Sequence, residues 1–383
     1  MSSPRRIRFP LKVKIRAGVL TRAAPSGQDN NRFAKLSHDR FRLRGYERHL
    51  NFRTKATRRS RMKPLLSAAL LAFTASASMA ETLTLYTSQP NADAQMTVDA
   101  FMKANPEIEV EWVRDGTTKL MARLMAEIEA GNPQPDVLLI ADTATLEGMA
   151  QNGQLKAYQS PEAAAYDPAL YSAEGYYHST KLITTGIVYN TGAATQPTSW
   201  ADLADPALKG QIAMPSPLYS GAALIHLATL TGDKDLGWDY YGDLASNDAR
   251  AQGGNGGTFK AVASGEKPYG VVVDFLAIRN KADGSPVEFV FPEEGVSYVT
   301  EPVAILESAK NVDAAQKFVD FVLSQQGQDL VLDMGYIPAR NDMGVPAGFP
   351  ARDEIKLMSF DPAQALTDAD ANKAKFAELF GAE

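Results

Sequence analysis

The chain has 383 residues, no cysteine and a formal net charge of −6. Without cysteine, disulfides, thiolate nucleophiles and cysteine-ligated zinc or iron–sulfur sites are excluded. The charge is uneven, because residues 1–61 hold 18 Lys and Arg against 3 Asp and Glu, whereas residues 81–383 hold 20 against 42. That acidic excess argues against nucleic acid or an anionic membrane surface as the partner of the main part of the chain.

Residues 62–80 have the pattern of a secretory signal peptide: a basic start, an apolar run over 65–73 and small residues before Glu81. The apolar run is too short to span a bilayer, so we predict cleavage and not anchoring. A signal normally begins its protein, and we therefore predict that residues 1–61 are a disordered, mis-called upstream extension. A nucleic-acid-binding tail and a transit-like extension are the two alternatives for this basic arm.

After position 81, the hydrophobic periodicity alternates between that of β-strands and that of α-helices. It predicts strands over 82–86, 108–113 and 137–140, with a helix ended by Asn105-Pro106 and further helices over 117–130 and 145–152. Short connections between such elements favour a mostly parallel sheet covered by helices.

Ligands of such sheets bind beyond the carboxyl ends of the strands. Two polar loops follow strands there and supply candidate ligand-binding residues, namely Thr87, Ser88 and Asn91 after the first strand, and Asp142 and Thr143 after the third.

A predicted strand over 211–214 leads through a Pro/Ser turn into an apolar helix that begins at Ser220 and Gly221. Backbone N–H groups and hydroxyls at a helix start can hold an anion, so Ser216, Ser220 and Gly221 are candidates. Asn255, Gly256 and Gly257 lie in a glycine-rich stretch before a predicted helix over 259–264. Glycines there permit close approach of backbone amides to an anion, although a flexible turn is the alternative.

Two carboxylates lie at predicted strand ends. Asp274, with Phe275 beside it, ends a buried strand over 271–273, and Glu301 lies in the polar stretch Thr300-Glu301-Pro302 near the start of a predicted strand over 299–306. We expect both carboxylates to face the ligand; a helix cap or a hinge hydrogen bond is the alternative for each.

The histidines beyond residue 80 do not indicate catalysis. His226 lies in an apolar run typical of a core, and His178 has no acid or serine placed beside it in a recognisable pattern. Converging polar loops without a nucleophile–base pair describe a binding cleft. We predict a protein that is not an enzyme and uses no cofactor and no resident metal; an extracytoplasmic enzyme or a periplasmic adaptor remains an alternative.

The order of segments resembles the solute-binding proteins of bacterial ABC importers, in the subgroup typified by ferric-ion-binding proteins, over nearly all of residues 81–345. The segments that carry the resemblance are Leu85-Tyr86-Thr87-Ser88, Pro135-Asp136-Val137, Ile187-Val188-Tyr189-Asn190-Thr191, Ser199-Trp200-Ala201-Asp202-Leu203-Ala204-Asp205-Pro206 with Lys209-Gly210, Ser220-Gly221, Lys260-Ala261-Val262 with Gly265-Glu266, and Glu301-Pro302-Val303-Ala304-Ile305.

The resemblance implies an α/β, type II periplasmic binding protein with two α/β lobes joined by hinge strands and closing on a small-molecule solute. Lobe 1 would comprise residues 81–182 and 300–345, lobe 2 residues 183–299, and residues 346–383 would form C-terminal packing helices. The implied location is the periplasm and the implied partner an ABC permease in the inner membrane. We expect a monomer.

The sequence departs from the ferric-binding pattern at the metal ligands. Those members hold iron with a histidine after the first strand, a glutamate after the third and a Tyr-Tyr pair. Pro90 or Asn91, Ala141 and Phe275-Leu276 stand here instead. A hard ferric ion needs anionic oxygen ligands. Ser220 and Asn255, in contrast, match the residues that hold the accompanying anion.

We therefore hypothesise an organic solute with a phosphonate, phosphate-ester or carboxylate head, held by Ser216, Ser220 and the amides of 255–258. Two carboxylates near a bound anion would repel it unless a positive group lay between, which suggests a zwitterion such as 2-aminoethylphosphonate. Phe275 would line the apolar part. A ferric ion is the alternative ligand.

Overall fold

Two mixed β-sheets organise residues 81–381, the part of the chain that the computed structural model describes. The strands are β1 (Glu81–Thr87), β2 (Ile108–Arg114), β3 (Val137–Leu139), β4 (Leu155–Lys156), β5 (His178–Ser179), β6 (Lys181–Asn190), β7 (Ile212–Met214), β8 (Arg250–Ala251), β9 (Tyr269–Val273), β10 (Val287–Val290), β11 (Ser297–Val299), β12 (Pro302–Leu306) and β13 (Ile337–Pro338). The α-helices are α1 (Asn91–Ala104), α2 (Thr117–Glu129), α3 (Thr143–Gln151), α4 (Trp200–Leu203), α5 (Gly221–Gly232), α6 (Gly237–Ser246), α7 (Asn255–Ala263), α8 (Asp274–Ala282), α9 (Val312–Leu323), α10 (Gln325–Asp333) and α11 (Pro362–Phe380).

Sheet 1 has the strand order β2-β1-β3-β12-β4, with β5 also paired to β12. Sheet 2 has the order β10-β6-β9-β7-β8, and β11 and β13 also pair with β6. Strand β1 is parallel to β2 and β3, but β12 is antiparallel to β3 and β6 is antiparallel to β9 and β10. The parallel arrangement predicted from the first three strands holds for β1, β2 and β3, and β7 is parallel to β8 and β9. Each whole sheet is mixed, because β12 in sheet 1 and β6 in sheet 2 run antiparallel to their neighbours.

Each sheet is covered by helices on both faces, and we call each sheet with its helices a lobe. In lobe 1, Leu83 and Leu85 pack on α1 and α9, where the rings of Phe101 and Phe318 meet edge-on at 5.0 Å. The other face packs on α2 through Leu124 and its neighbours. In lobe 2, α5 covers one face and α7 the other. Because both faces are covered, the central strands β3, β9 and β12 are buried at every position and read as continuous apolar runs.

The apolar stripe of α2 borders on solvent. Met121 is buried, whereas Met125 is exposed. A methionine near the edge of an amphipathic stripe lies half over solvent.

The chain crosses between the sheets where β5 leads into β6, where β11 leads into β12 and again between β12 and β13. The strand predicted over 299–306 is therefore two strands, and Glu301 at the break has a positive φ of 39°. Helix α11 packs on α3 of lobe 1 and on α5 and α6 of lobe 2. The predicted lobe boundaries stay a prediction.

The basic arm and the predicted signal peptide lie outside the described residues. Within 81–381, no helix has both the length and the apolar character needed to cross a membrane.

Candidate functional site

A cavity of about 440 Å³ lies between the lobes. Ser88, Arg114 and Thr117 line it from lobe 1, and Ser220 and Asn255 line it from lobe 2. Helices α2, α5 and α7 all begin at this cavity, at Thr117, Gly221 and Asn255. Each helix start carries partial positive charge and N–H groups without an intrahelical acceptor, so three such ends favour a bound anion.

Two of these helix starts have glycine in the N-cap position. Gly116 precedes α2 and Gly254 precedes α7, and neither provides a side-chain cap. The third start is capped by Ser220, whose Oγ accepts from the Ala223 N–H at 3.3 Å. The first backbone N–H groups of α7 therefore remain suited to an external acceptor, whereas one N–H group in the first turn of α2 already donates to a carbonyl of the other lobe.

Asn255 joins three elements at the polar wall of the cavity. Its Nδ2 donates to Ser220 Oγ at 3.2 Å, and its Oδ1 accepts from the Val273 N–H at 3.1 Å. The start of α5 is thereby tied to the start of α7 and to the end of β9. Ser88 has a similar role in lobe 1. Its Oγ accepts from the Ala141 N–H at 3.0 Å and so ties the loop after β1 to the loop after β3. The polar lining therefore stands on rigid elements.

Two basic side chains that the sequence did not indicate as site residues line the cavity, Arg114 and Lys260. The Arg114 guanidinium donates to the Gln89 carbonyl at 2.8 Å and to the Tyr219 hydroxyl at 3.3 Å. The Lys260 side chain has no hydrogen bond or ion pair within residues 81–381. A basic residue at the carboxyl end of β2 was the available signal for Arg114; nothing in the glycine-rich stretch singled out Lys260.

Glu301 is the one carboxylate among the cavity-lining residues of the described chain. Its Oε2 lies 2.6 Å from Lys181 Nζ and accepts from Gln89 Nε2 at 3.3 Å. The carboxylate at the cavity wall is therefore already paired with a positive charge from the protein.

Another part of the cavity lining is largely apolar. Phe275 and Tyr336 pack with their ring centroids 4.3 Å apart, and Ile183, Leu276 and Val299 complete this wall. Such a surface suits the hydrocarbon part of an organic ligand.

The cavity collects half of the ligand-binding residues predicted from the sequence. Those that line it are Ser88, Ser220, Asn255, Gly256, Gly257, Phe275 and Glu301. Those that do not are Thr87, Asn91, Asp142, Thr143, Ser216, Gly221 and Asp274.

In lobe 1, the side chains away from the cavity have local partners. Thr87 Oγ1 accepts from the Gln89 N–H at 3.1 Å, and Asn91 is exposed at the start of α1. Asp142 is the N-cap of α3 and accepts from the Thr145 N–H at 3.0 Å, and burial raises its pKa. Thr143 Oγ1 lies 3.3 Å from Thr300 Oγ1. Capping and turn formation account for these residues.

In lobe 2, Ser216 Oγ accepts from the Leu218 N–H at 3.2 Å within the turn before α5. Gly221 packs so closely on the Ala141 carbonyl that a Cβ there would lie 2.6 Å from it. Asp274 is buried away from the cavity, where it accepts from Thr184 N–H at 2.8 Å and Thr184 Oγ1 at 2.7 Å. Burial raises the pKa of Asp274 to about 7. The two-carboxylate arrangement behind the zwitterion hypothesis is thus absent from the described cavity wall.

The lobes touch at the mouth of the cavity. Thr118 N–H donates to the Tyr219 carbonyl at 3.2 Å, and Thr118 Oγ1 donates to the Pro217 carbonyl at 3.1 Å. Further along the interface, Arg279 of lobe 2 pairs with Asp93 of lobe 1 at 3.2 Å. These contacts describe a closed arrangement of the lobes.

Neither histidine of the described chain lines the cavity. His226 is buried against the Trp200 ring with its Nδ1 2.8 Å from Ser297 Oγ, and burial lowers its pKa to about 3. His178 Nε2 lies 2.9 Å from the Tyr158 carbonyl. Within residues 81–381, no group of three or more His, Cys, Asp or Glu side chains is placed to hold a metal ion.

Two α/β lobes with a polar cavity between them define a solute-binding protein. The chain belongs to the family described as bacterial extracellular solute-binding protein, which matches residues 132–365. The resemblance noted in the sequence is confirmed.

Relatives of this chain are named for different ligands. An uncharacterised protein of Haemophilus influenzae is 31% identical over 285 residues, covering 70% of this chain and 81% of its own. A Salmonella paratyphi A protein, named provisionally as a 2-aminoethylphosphonate-binding periplasmic protein, is 27% identical over 66% of this chain and 76% of its own. An Fe(3+)-binding periplasmic protein of Serratia marcescens is 26% identical over 82% and 92%.

Solved structures confirm the fold class of a two-lobed α/β periplasmic binding protein. AfuA of Actinobacillus pleuropneumoniae, solved with fructose-6-phosphate, gives a TM-score of 0.72 at 24% identity, over 79% of this chain and 99% of its own. Iron-bound HitA of Pseudomonas aeruginosa gives 0.67 at 24% identity, over 77% and 99%.

Proposed function

We propose that this protein captures a small organic solute with a phosphonate or phosphate-ester head in the periplasm and delivers it to an ABC permease in the inner membrane. One observation carries the proposal: three helix N-termini and the side chains of Ser220, Asn255, Arg114 and Lys260 converge on one cavity. Each of these groups favours negative charge.

The chemistry of the head follows from the number of donors. A phosphoryl group offers three oxygens and up to two negative charges, so it can accept from N–H groups, hydroxyls and a guanidinium together. Arg114 is oriented by the Gln89 carbonyl and by Tyr219, which leaves it little rotameric freedom to lose on binding.

The size and lining of the cavity support an organic body. Its volume of about 440 Å³ lies within the range of small-molecule sites. Phe275, Leu276 and Val299 give the body an apolar wall. Inorganic phosphate alone would leave that wall in contact with water.

The relatives support the remaining parts of the proposal. The Salmonella paratyphi A relative is named, provisionally, for binding a phosphonate in the periplasm, and the family consists of extracellular solute-binding proteins. We include in the proposal that the protein works as a monomer, without a cofactor or nucleic acid, and releases its ligand chemically unchanged.

A ferric ion is the second candidate, because the Serratia marcescens relative that covers 82% of this chain is an Fe(3+)-binding protein. The chemistry of the cavity favours it less. Its one carboxylate, Glu301, is already paired with Lys181, and a ferric ion prefers several anionic oxygen ligands.

Titration calorimetry of residues 81–383 tests the proposal against this candidate. We expect ethylphosphonate or fructose 6-phosphate to bind and ferric citrate to give no iron transfer. Arg114→Gln should weaken organophosphorus binding, whereas Lys317→Met, which removes a lysine from an exposed surface pair, should not. Tight iron binding with a tyrosinate charge-transfer colour, and no heat from the organophosphorus compounds, would overturn the proposal.

A further inference from the structure

A buried ion pair joins two of the places where the chain crosses between the lobes. Lys181 begins β6 and Glu301 directly precedes β12, and their Nζ and Oε2 atoms are 2.6 Å apart. The Lys181 side chain is 1% exposed, and its ammonium lies 4.3 Å from the centroid of the Tyr336 ring. A lysine this deeply buried needs a fixed negative partner.

The two members of the pair differ in their access to the cavity. Glu301 lines the cavity, whereas Lys181 does not. Lys181 and Gln89 both contact the Oε2 atom of Glu301, and neither contacts Oε1. The lysine is thus the counter-charge of a carboxylate that itself lines the cavity.

This counter-charge decides what the cavity wall presents to a ligand. A lone carboxylate would repel an anionic head and attract an amine on the same ligand. Paired with Lys181, the wall is close to neutral overall, and a ligand ammonium at Glu301 would meet a second cation across the same carboxylate.

We propose that Lys181 is a specificity-determining residue that selects against ligands carrying an amine near their acidic head. The proposal rests on the proposed function, because it assumes an anionic head bound at the starts of α5 and α7. It names the substrate class more narrowly: amine-free phosphonates or phosphate esters.

A purely structural role for the pair makes a different prediction. Replacing a buried ion pair changes stability in either direction. It does not by itself change the ratio of affinities for two ligands that differ at one group. That ratio is therefore the readout.

Ethylphosphonate and 2-aminoethylphosphonate form the matched ligand pair, since they share the head and the two-carbon chain. Calorimetry at neutral pH on residues 81–383 should show ethylphosphonate binding at least 10-fold more tightly. In Lys181→Met the ratio should fall at least 10-fold, because the ligand ammonium can then neutralise Glu301. Lys317→Met, which removes a lysine from an exposed pair with Glu107, is the control and should leave the ratio unchanged.

A second variant covers the case in which Lys181→Met does not fold. Glu301→Gln leaves the buried ammonium without its carboxylate and should raise the preference for ethylphosphonate at least 3-fold. Thermal unfolding without ligand checks that each variant is folded.

The outcomes separate the two claims. If the unsubstituted protein binds both phosphonates equally, or prefers the amine, the role of Lys181 is wrong and the proposed function stands. If both variants fold and the ratio of the two phosphonate affinities does not change, the role of Lys181 is likewise wrong and the proposed function stands. If neither phosphonate nor a phosphate ester binds, the proposed function fails and this inference fails with it.

Discussion

Substituting Gly116 by alanine should hold the lobes apart. Gly116 is the N-cap of α2 with φ of −60°, a conformation that alanine also adopts. A Cβ at this position would lie 2.4 Å from the Tyr219 carbonyl oxygen and 2.6 Å from Tyr219 Cε1, both in the other lobe. Relief of this overlap requires the two lobes to separate by roughly 1 Å at the cavity mouth.

The cost of the extra methyl falls on the closed arrangement alone, because an open cleft removes the contact. Overpacking of this kind costs about 1–3 kcal/mol, which corresponds to a loss of affinity of roughly 5- to 150-fold. The stability of the ligand-free protein should change little, since the open form accommodates the methyl group.

Calorimetry with ethylphosphonate measures the affinity, and small-angle X-ray scattering with and without ligand measures closure. Gly242→Ala is the matched control, because Gly242 lies inside α6 and a Cβ there meets nothing within 4 Å. Unchanged affinity and unchanged closure in Gly116→Ala would refute the reasoning that the Tyr219 contact belongs to the ligand-bound form.

Three further substitutions test the binding site and the fold. Arg114→Gln should lower affinity for a phosphonate by roughly 10- to 150-fold, as expected for loss of a charged hydrogen bond of about 1.5–3 kcal/mol, and calorimetry against Lys317→Met checks it. Phe376→Ala removes a buried ring of α11 that packs with Tyr241 and should cost about 3–5 kcal/mol in urea unfolding; an unchanged midpoint would show that α11 does not stabilise lobe 2. Burial raises the pKa of Asp274 to about 7. The folded state therefore binds this proton more tightly than the unfolded chain, and the unfolding free energy should fall as pH rises from about 4 to about 7. Asp274→Asn should flatten that part of the pH profile, and an unchanged slope would contradict a raised pKa.

Local sequence patterns predicted the parts of the fold that depend on neighbouring residues. Alternating apolar residues located β1 and β2, and α1 ends at Asn105-Pro106 as expected. Ser220 could be recognised as a helix start because an N-cap and its first turn are adjacent in the chain.

The rest of the site depends on contacts between distant residues. Asp274 is held by Thr184, and Glu301 by Lys181, residues more than eighty positions earlier in the chain. A sequence shows that a carboxylate follows a strand but not which partner will bury it. Lys260 was missed for the same reason, since only the packing of α7 beside the cavity gives it a role.

Phosphorus-31 NMR tests the central claim most directly. Ethylphosphonate and fructose 6-phosphate are each mixed with a slight excess of residues 81–383, and the spectra are recorded before and after denaturation with urea at the same pH. We predict that at least one phosphorus signal shifts or broadens with the folded protein and returns unchanged after denaturation, as for a carrier that releases its ligand intact. Two unaffected signals would contradict organophosphorus binding, and an inorganic phosphate signal would contradict a carrier.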